Sequence, residues 1–267
     1  MTTKTAIHPS GLKLSFSEAD HRYLDEKGHE YTSVTTLVKR YCEPFDSPAI
    51  ALAKATRDLG PESTRDQIAA QAKALQAEWA KAGETASRYG TRVHETAEAI
   101  LLGNQPPHKP ESETERLAFS AVWAWIAGAK GTFDILKPEM MLFSPSTLVA
   151  GTADLVGYSL ARKTLFVLDW KTNKEIRVEG YRGKCMLPPA ETVQDCEIGK
   201  YSLQLQLYAW MLKREGYCRF LPGPVERLGL GILHVVPEKG VVEEITALDV
   251  KSEMLEVLLN HCTEVPF

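Results

Sequence analysis

The run Thr164-Leu165-Phe166-Val167-Leu168-Asp169-Trp170-Lys171 constrains this chain more than any other segment. A short, nearly continuous stretch of β-branched, aromatic and aliphatic residues is the pattern of a strand buried on both faces of a sheet. It closes with an acid and a base two positions apart. On a strand, Asp169 and Lys171 therefore share a face, about 6.6 Å apart along the chain, and Trp170 turns to the other face. The triplet is not diagnostic in itself, because Asp25-x-Lys27 and Asp249-x-Lys251 have the same form. Its place after the buried run makes this triplet alone a candidate catalytic pair, with an ordinary ion pair at a strand end as the alternative until the neighbouring strand is considered.

Two β-type runs precede it, Thr132 to Phe143 and Leu148 to Tyr158, and short turns join all three, which predicts a meander. The middle run contains Gly151-Thr152-Ala153-Asp154, a lone acid in an apolar strand that the meander places beside Asp169. Two carboxylates about 4 Å apart repel by roughly 4 kcal/mol at an effective dielectric near 20, and the single charge of Lys171 does not neutralise both. A divalent cation would. Carboxylate oxygens together with a backbone carbonyl, such as that of Trp170, suit Mg²⁺ or Mn²⁺ better than zinc or copper.

The rest of the chain reads as follows. Alternation over residues 11 to 32, around Asp25-Glu26-Lys27-Gly28, predicts a hairpin. Helices are expected from Ser33 to Cys42, Ala49 to Leu59, Ser63 to Ala82 with Gly83 as its end, Glu84 to Leu102, and Glu113 to Ala129 with Leu117, Val122, Trp123 and Ile126 for burial. Residues 172 to 199 are polar and aperiodic, an excursion of the kind that carries function. An amphipathic helix follows from Tyr201 to Arg214, then a strand over Arg227 to Val236, its hairpin partner over Val241 to Thr246, and a closing helix from Leu248 to His261. This order is α/β: a mixed central sheet flanked by helices, with residues 1–83 as an N-terminal hairpin and helical elaboration on a core at 84–267.

The 267 residues can bury a full core without disulfides. The five cysteines, at 42, 185, 196, 218 and 262, form no CxxC pair, which argues against a disulfide framework or a zinc ribbon and for a reducing, cytoplasmic setting. No apolar run approaches a membrane span. The net charge of −4 counts against a nucleic-acid partner, since such proteins usually carry a basic excess.

Two helices carry further candidates. His94 and Glu98 lie one turn apart on a common face; the sequence His94-Glu95-Thr96-Ala97-Glu98 ends in Glu, so it is not the zinc-protease motif. A lone helical histidine is more often structural than a ligand, but an imidazole would complete a metal site short of donors. Gln204 and Tyr208 are likewise one turn apart.

Taken in order, Gly90-Thr91-Arg92-Val93-His94 with Glu98, Gly151-Thr152-Ala153-Asp154, Asp169-Trp170-Lys171-Thr172 and Gln204-x-x-x-Tyr208 resemble the PD-(D/E)XK nuclease superfamily, in particular its RecB-like branch with the phage recombination exonucleases and the mitochondrial genome maintenance exonuclease. The resemblance covers about residues 84 to 236. It implies a restriction-endonuclease-like core and Mg²⁺- or Mn²⁺-dependent cleavage of DNA phosphodiesters. It further implies His94, Asp154, Asp169 and the Trp170 carbonyl as metal ligands, Glu139 as a weaker one, Lys171 as the catalytic lysine, and Glu98, Gln204 and Tyr208 in support. The cysteines are too dispersed for the iron–sulfur cluster of some relatives, and no Walker loop is present.

Arg88 and Arg92 before His94, and Lys174, Arg177, Tyr181, Arg182 and Lys184 in the excursion, are the candidates for DNA contact; a solvated helix face and loop is the alternative. The expected activity is that of a DNA exonuclease acting on linear or single-stranded ends in recombination or repair; a phage origin and a single-strand annealing or recombination protein as partner go with that expectation. A structure-specific or restriction-type endonuclease and a non-catalytic DNA-binding subunit are the alternatives.

Overall fold

The structure, a computed structural model, describes residues 3–264. Four antiparallel strands open the chain: β1 (Thr3–Ile7), β2 (Lys13–Ser17), β3 (Arg22–Asp25) and β4 (Glu30–Ser33). The expected hairpin is thus the end of a four-stranded meander. Its last turn is the one anticipated: Gly28 adopts φ 88°, which costs glycine nothing, and Asp25 accepts from the backbone N–H groups of Lys27 and His29. Helix α1 (Val34–Arg40) follows, capped by Ser33 Oγ accepting from Thr36 N–H, and then α2 (Ser47–Leu59), capped by Asp46.

Helix α3 runs unbroken from Arg65 to Leu101, so Gly83 does not end a helix. A terminating glycine adopts a left-handed conformation, and Gly83 is absent from the residues that do; a mid-helix glycine costs only about 1 kcal/mol against alanine, and the Ala- and Lys-rich flanks absorb it. A capping box between Thr64 and Gln67 fixes the start of α3. Its first half packs on α2 through Ala51, Ala55, Ala72 and Leu75, and its second half packs on the sheet through Val93 and Ala97.

Helix α4 (Glu113–Ala129) has the expected bounds. Val122 and Ile126 are buried, but Trp123 is 61% exposed, because the face defined by residues 118, 122 and 126 turns it to solvent; Trp125 instead meets Trp170 edge to face at 5.2 Å.

Strands β5 (Ile135–Ser144), β6 (Val149–Ser159) and β7 (Thr164–Lys171) form the anticipated antiparallel meander. The excursion is anchored by buried Met186, Ala190, Val193 and Cys196. It leads into α5 (Glu197–Arg214), which starts four residues before Tyr201. Strand β8 (Arg227–Val236) then returns parallel to β7, β9 (Val241–Thr246) pairs antiparallel with β8, and α6 (Ser252–Glu264) closes the chain. The closing helix starts later than Leu248 because the preceding residues finish the sheet edge: Ala247 N–H donates to Leu230 and Leu248 N–H to Ser202 Oγ.

Among the described residues the sheet has nine strands in the order β1-β2-β3-β4-β6-β7-β8-β9, with β5 paired to β6. Helices α3 and α4 cover Leu168 and Trp170 on one face, and α1 and α5 cover Leu165 and Val167 on the other. This is the mixed α/β sandwich expected from the sequence.

The pairing of β6 positions the candidate site. Strand β5 pairs along β6 from Val149 to Tyr158, so β4 and β7 share the opposite edge. Strand β4 takes Val149 and Ala150, and β7 takes Leu155 to Ser159. Residues 151–154, the Gly-Thr-Ala-Asp segment, fall in the fork between them.

Candidate active site

Asp154 stands at the base of the fork. Its Oδ2 accepts the backbone N–H of Trp170 at 2.8 Å, tying β7 to β6 one step beyond their last ladder pair, Leu155 with Leu168. The facing of β6 also changes here. Val149 and Ala153 lie in the cluster with α5, as does Val156, whereas Leu155 lies in the cluster with α3 and α4. A regular strand alternates without such a break, so the backbone near Asp154 is re-aimed, as in irregular strands beside functional sites.

On the other edge, Pro138 pairs with Leu155 and Met140 with Ala153, which brackets Glu139 opposite Asp154. Glu139 adopts φ 47°, a conformation that a bulky residue keeps only where its surroundings impose it. From α3, His94 Nδ1 comes within 3.4 Å of Asp154 Oδ2. One donor atom each from His94, Glu139 and Asp154 lies within 4.8 Å of the others. All three line a cleft of ≈ 480 Å³ whose walls include Glu98, Thr91, Gly90 and Thr172. Burial and the neighbouring Asp154 push the Glu139 carboxyl up to about 7. Carboxylates crowded this way, beside an imidazole, are the hard oxygen and nitrogen donors that a divalent cation such as Mg²⁺ or Mn²⁺ would bind and neutralise.

Asp169 and Lys171 share the face of β7 that the two-residue period requires, and they form a buried ion pair. Asp169 Oδ1 accepts from Gln204 Nε2 at 3.0 Å, while Oδ2 faces Lys171 without a well-aligned hydrogen bond. Burial raises the Asp169 carboxyl, with Lys171 opposing and Asp154 reinforcing that shift. Burial pulls the Lys171 ammonium down, and Asp169 and Asp154 more than restore it, so the amine stays charged. Its Nζ also sits 4.6 Å from the centre of the Tyr201 ring, a cation–π contact.

Tyr208 is buried behind these groups and stays a neutral phenol, because burial and the two aspartates oppose its ionisation. It leaves so little room over Gly151 that a Cβ there would meet the ring at 2.8 Å. Gln204 thus holds Asp169 from within the core, with Tyr208 beside Gln204. The Trp170 backbone joins the site through its N–H.

The other candidates are placed around the cleft or away from it. Arg88 pairs with Glu111 at 2.9 Å. Arg92 is held by Glu115 at 2.8 Å, by Glu111 and by the Lys109 carbonyl, so it braces α4 and the 104–110 loop. Arg177 forms a bidentate pair with Glu197, and Lys184 pairs with Glu43 across to the segment after α1. Lys174, Tyr181 and Arg182 are exposed, with the Arg182 guanidinium 5.2 Å from the Tyr181 ring centre.

The sequence reading missed two groups at the site. Tyr201 was within reach of it: residues 201, 204 and 208 follow the i, i+3, i+7 period of one helix face. Lys4, from β1, lines the same cleft as His94, and no local pattern announces it.

A mixed sheet flanked by helices sets a His–Glu–Asp cluster able to hold a divalent cation beside a buried Asp–Lys pair at a strand fork, the arrangement of a candidate metal-dependent hydrolase. The particular family is the PD-(D/E)XK nuclease superfamily, to which this chain belongs: its family model matches residues 51–265, and its members use divalent metals. No curated protein matches the chain. Among the described residues no helix is long and apolar enough to cross a membrane.

Proposed function

We propose that this protein is a Mg²⁺- or Mn²⁺-dependent deoxyribonuclease of the RecB-like branch, acting as an exonuclease on DNA ends in recombination or repair. The observation that carries the reading is the meeting of Asp154, Asp169 and Lys171 at the fork, next to His94 and Glu139 in an open cleft. His94, Glu139 and Asp154 would hold the cation, with Asp169 and the Trp170 carbonyl completing its surroundings. A cation there supplies Lewis-acid polarisation of the phosphodiester and acidification of water.

The chain's own residues do the rest. Lys171 keeps its proton, so it acts as a fixed charge and donor that orients the attacking water and offsets charge developing on the phosphate oxygens. Asp169 and the Tyr201 ring hold that ammonium in place, and Gln204 holds Asp169. Water adds to phosphorus, one P–O ester bond breaks, and the leaving oxygen departs with a proton. The exonuclease reading takes the hairpin of α2 on the first half of α3, which continues into the cleft wall at Ala86, Ser87, Gly90 and Thr91, as a cap that threads a single strand. Lys174, Tyr181 and Arg182 offer exposed charge and a stacking ring to a strand.

Digestion of end-labelled linear and covalently closed circular DNA, single- and double-stranded, with Mg²⁺, Mn²⁺ or EDTA tests the proposal. Metal-dependent loss of linear DNA with circles intact is the expected result. Cutting of closed circles would overturn the exonuclease reading, and no metal-dependent cutting at all would overturn the deoxyribonuclease reading.

A further inference from the structure

The cleft that holds His94, Glu139 and Asp154 repels a polyanion, since Glu18, Glu95 and Glu98 line it as well. Among its described lining residues, Lys4 is the sole Lys or Arg. It reaches the cleft from β1, whose Lys4 pairs with Phe16 of β2 in a strand far from the catalytic segment in sequence. Its ammonium lies 3.8 Å from Glu139 Oε2 and 3.9 Å from Glu18 Oε1, and its side chain remains 44% exposed. These are loose pairs at the rim, too long for hydrogen bonds and within reach of solvent. Glu139 is at once the partner of Lys4 and a member of the three-donor cluster.

From this shared partner we propose that Lys4 is a DNA phosphate-binding residue that Glu139 masks in the metal-free protein and that a divalent cation releases. A carboxylate committed to a cation no longer attracts an ammonium. Lys4, on a flexible four-carbon stem, then turns to a backbone phosphate of the strand entering the cleft. The N-terminal meander thereby becomes part of the substrate site, and cation and DNA bind cooperatively through one ion pair. Reciprocity follows: DNA that holds Lys4 leaves Glu139 free for the cation. This inference rests on the nuclease reading above and adds to it a residue and a coupling.

The test measures DNA affinity by fluorescence anisotropy in a Lys171→Ala background, where cleavage does not intrude, with Mg²⁺ and with EDTA. Lys4→Ala is expected to weaken binding about fivefold in Mg²⁺ and to make the salt dependence shallower by about one counterion, with little change in EDTA. Lys4→Arg restores the Mg²⁺ affinity. Glu139→Gln strengthens binding in EDTA, and adding Lys4→Ala to it removes that gain. Calorimetric titration with Mn²⁺ alone gives a second readout, in which Lys4→Ala holds or tightens Mn²⁺ binding and Glu139→Gln weakens it. A Lys4→Ala variant that binds DNA like its parent, or that loses equally in Mg²⁺ and EDTA, overturns the proposal while a cleaving wild type leaves the nuclease reading standing. A wild type with neither DNA binding nor cleavage overturns both.

Discussion

Each residue of the fork carries a different part of the chemistry, so single substitutions separate them. Removing Asp154, Asp169 or Lys171 with alanine is expected to lower DNA cleavage by about a thousandfold or more, since residues acting as a unit fail together. Circular dichroism should show a folded protein in each case, and retained activity in any of the three would refute the site. Asp25 illustrates a polar residue with a purely structural task. Burial opposes its ionisation, but donors from His29, Lys27 and Tyr31 outweigh that and hold its carboxyl below the ordinary range. Its contribution is therefore present above the unfolded carboxyl's value of about 3.9 and lost as pH falls through the lower folded value. Asp25→Ala should lower the melting midpoint at pH 7 by roughly 3 °C, with the gap to wild type closing below about pH 4. Thermal melts across pH 3 to 7 check both the size and the sign.

At the scale of elements, the active site depends on how closely α5 approaches β6. Gly151 permits that approach, since any Cβ would lie 2.8 Å from Tyr208 Cε1 and 3.3 Å from Val34 Cγ2. Gly151→Ala is expected to destabilise by about 1–3 kcal/mol through overpacking. Because the displaced Tyr208 sits beside Gln204, it should also reduce cleavage, whereas Gly128→Ala, with open space at its Cβ and a place within α4, should leave cleavage unchanged and stabilise by up to about 1 kcal/mol. Urea unfolding and end-labelled digestion distinguish the two. Helix α3 is the other decisive element, because one continuous rod carries both the hairpin with α2 and His94 in the cleft wall. Gly83 was misread because a glycine in sequence signals either a break or a tolerated weak point, and only its backbone angle tells them apart.

For the whole molecule, cation binding and folding are linked. A cation that binds the crowded carboxylates of the native state and not the unfolded chain stabilises by about 2.7 kcal/mol at one hundred times its Kd. Melting in saturating Mn²⁺ should therefore exceed melting in EDTA by several degrees, and Asp154→Ala should abolish the difference. A net charge of −4 is no obstacle to an anionic substrate in such a molecule, because charge is arranged locally: acids converge on the cation site and exposed Lys174 and Arg182 lie in the neighbouring excursion. The sequence by itself determined most strands and helices, the Asp169–Lys171 face and the helical His94–Glu98 and Gln204–Tyr208 pairs, because these follow from periods of 2 and 3.6 within single elements. Only the tertiary structure decided that Glu139 turns left-handed to meet Asp154 and that Lys4 enters the cleft from the first strand. Those depend on distances between elements remote in the chain, which no local period encodes.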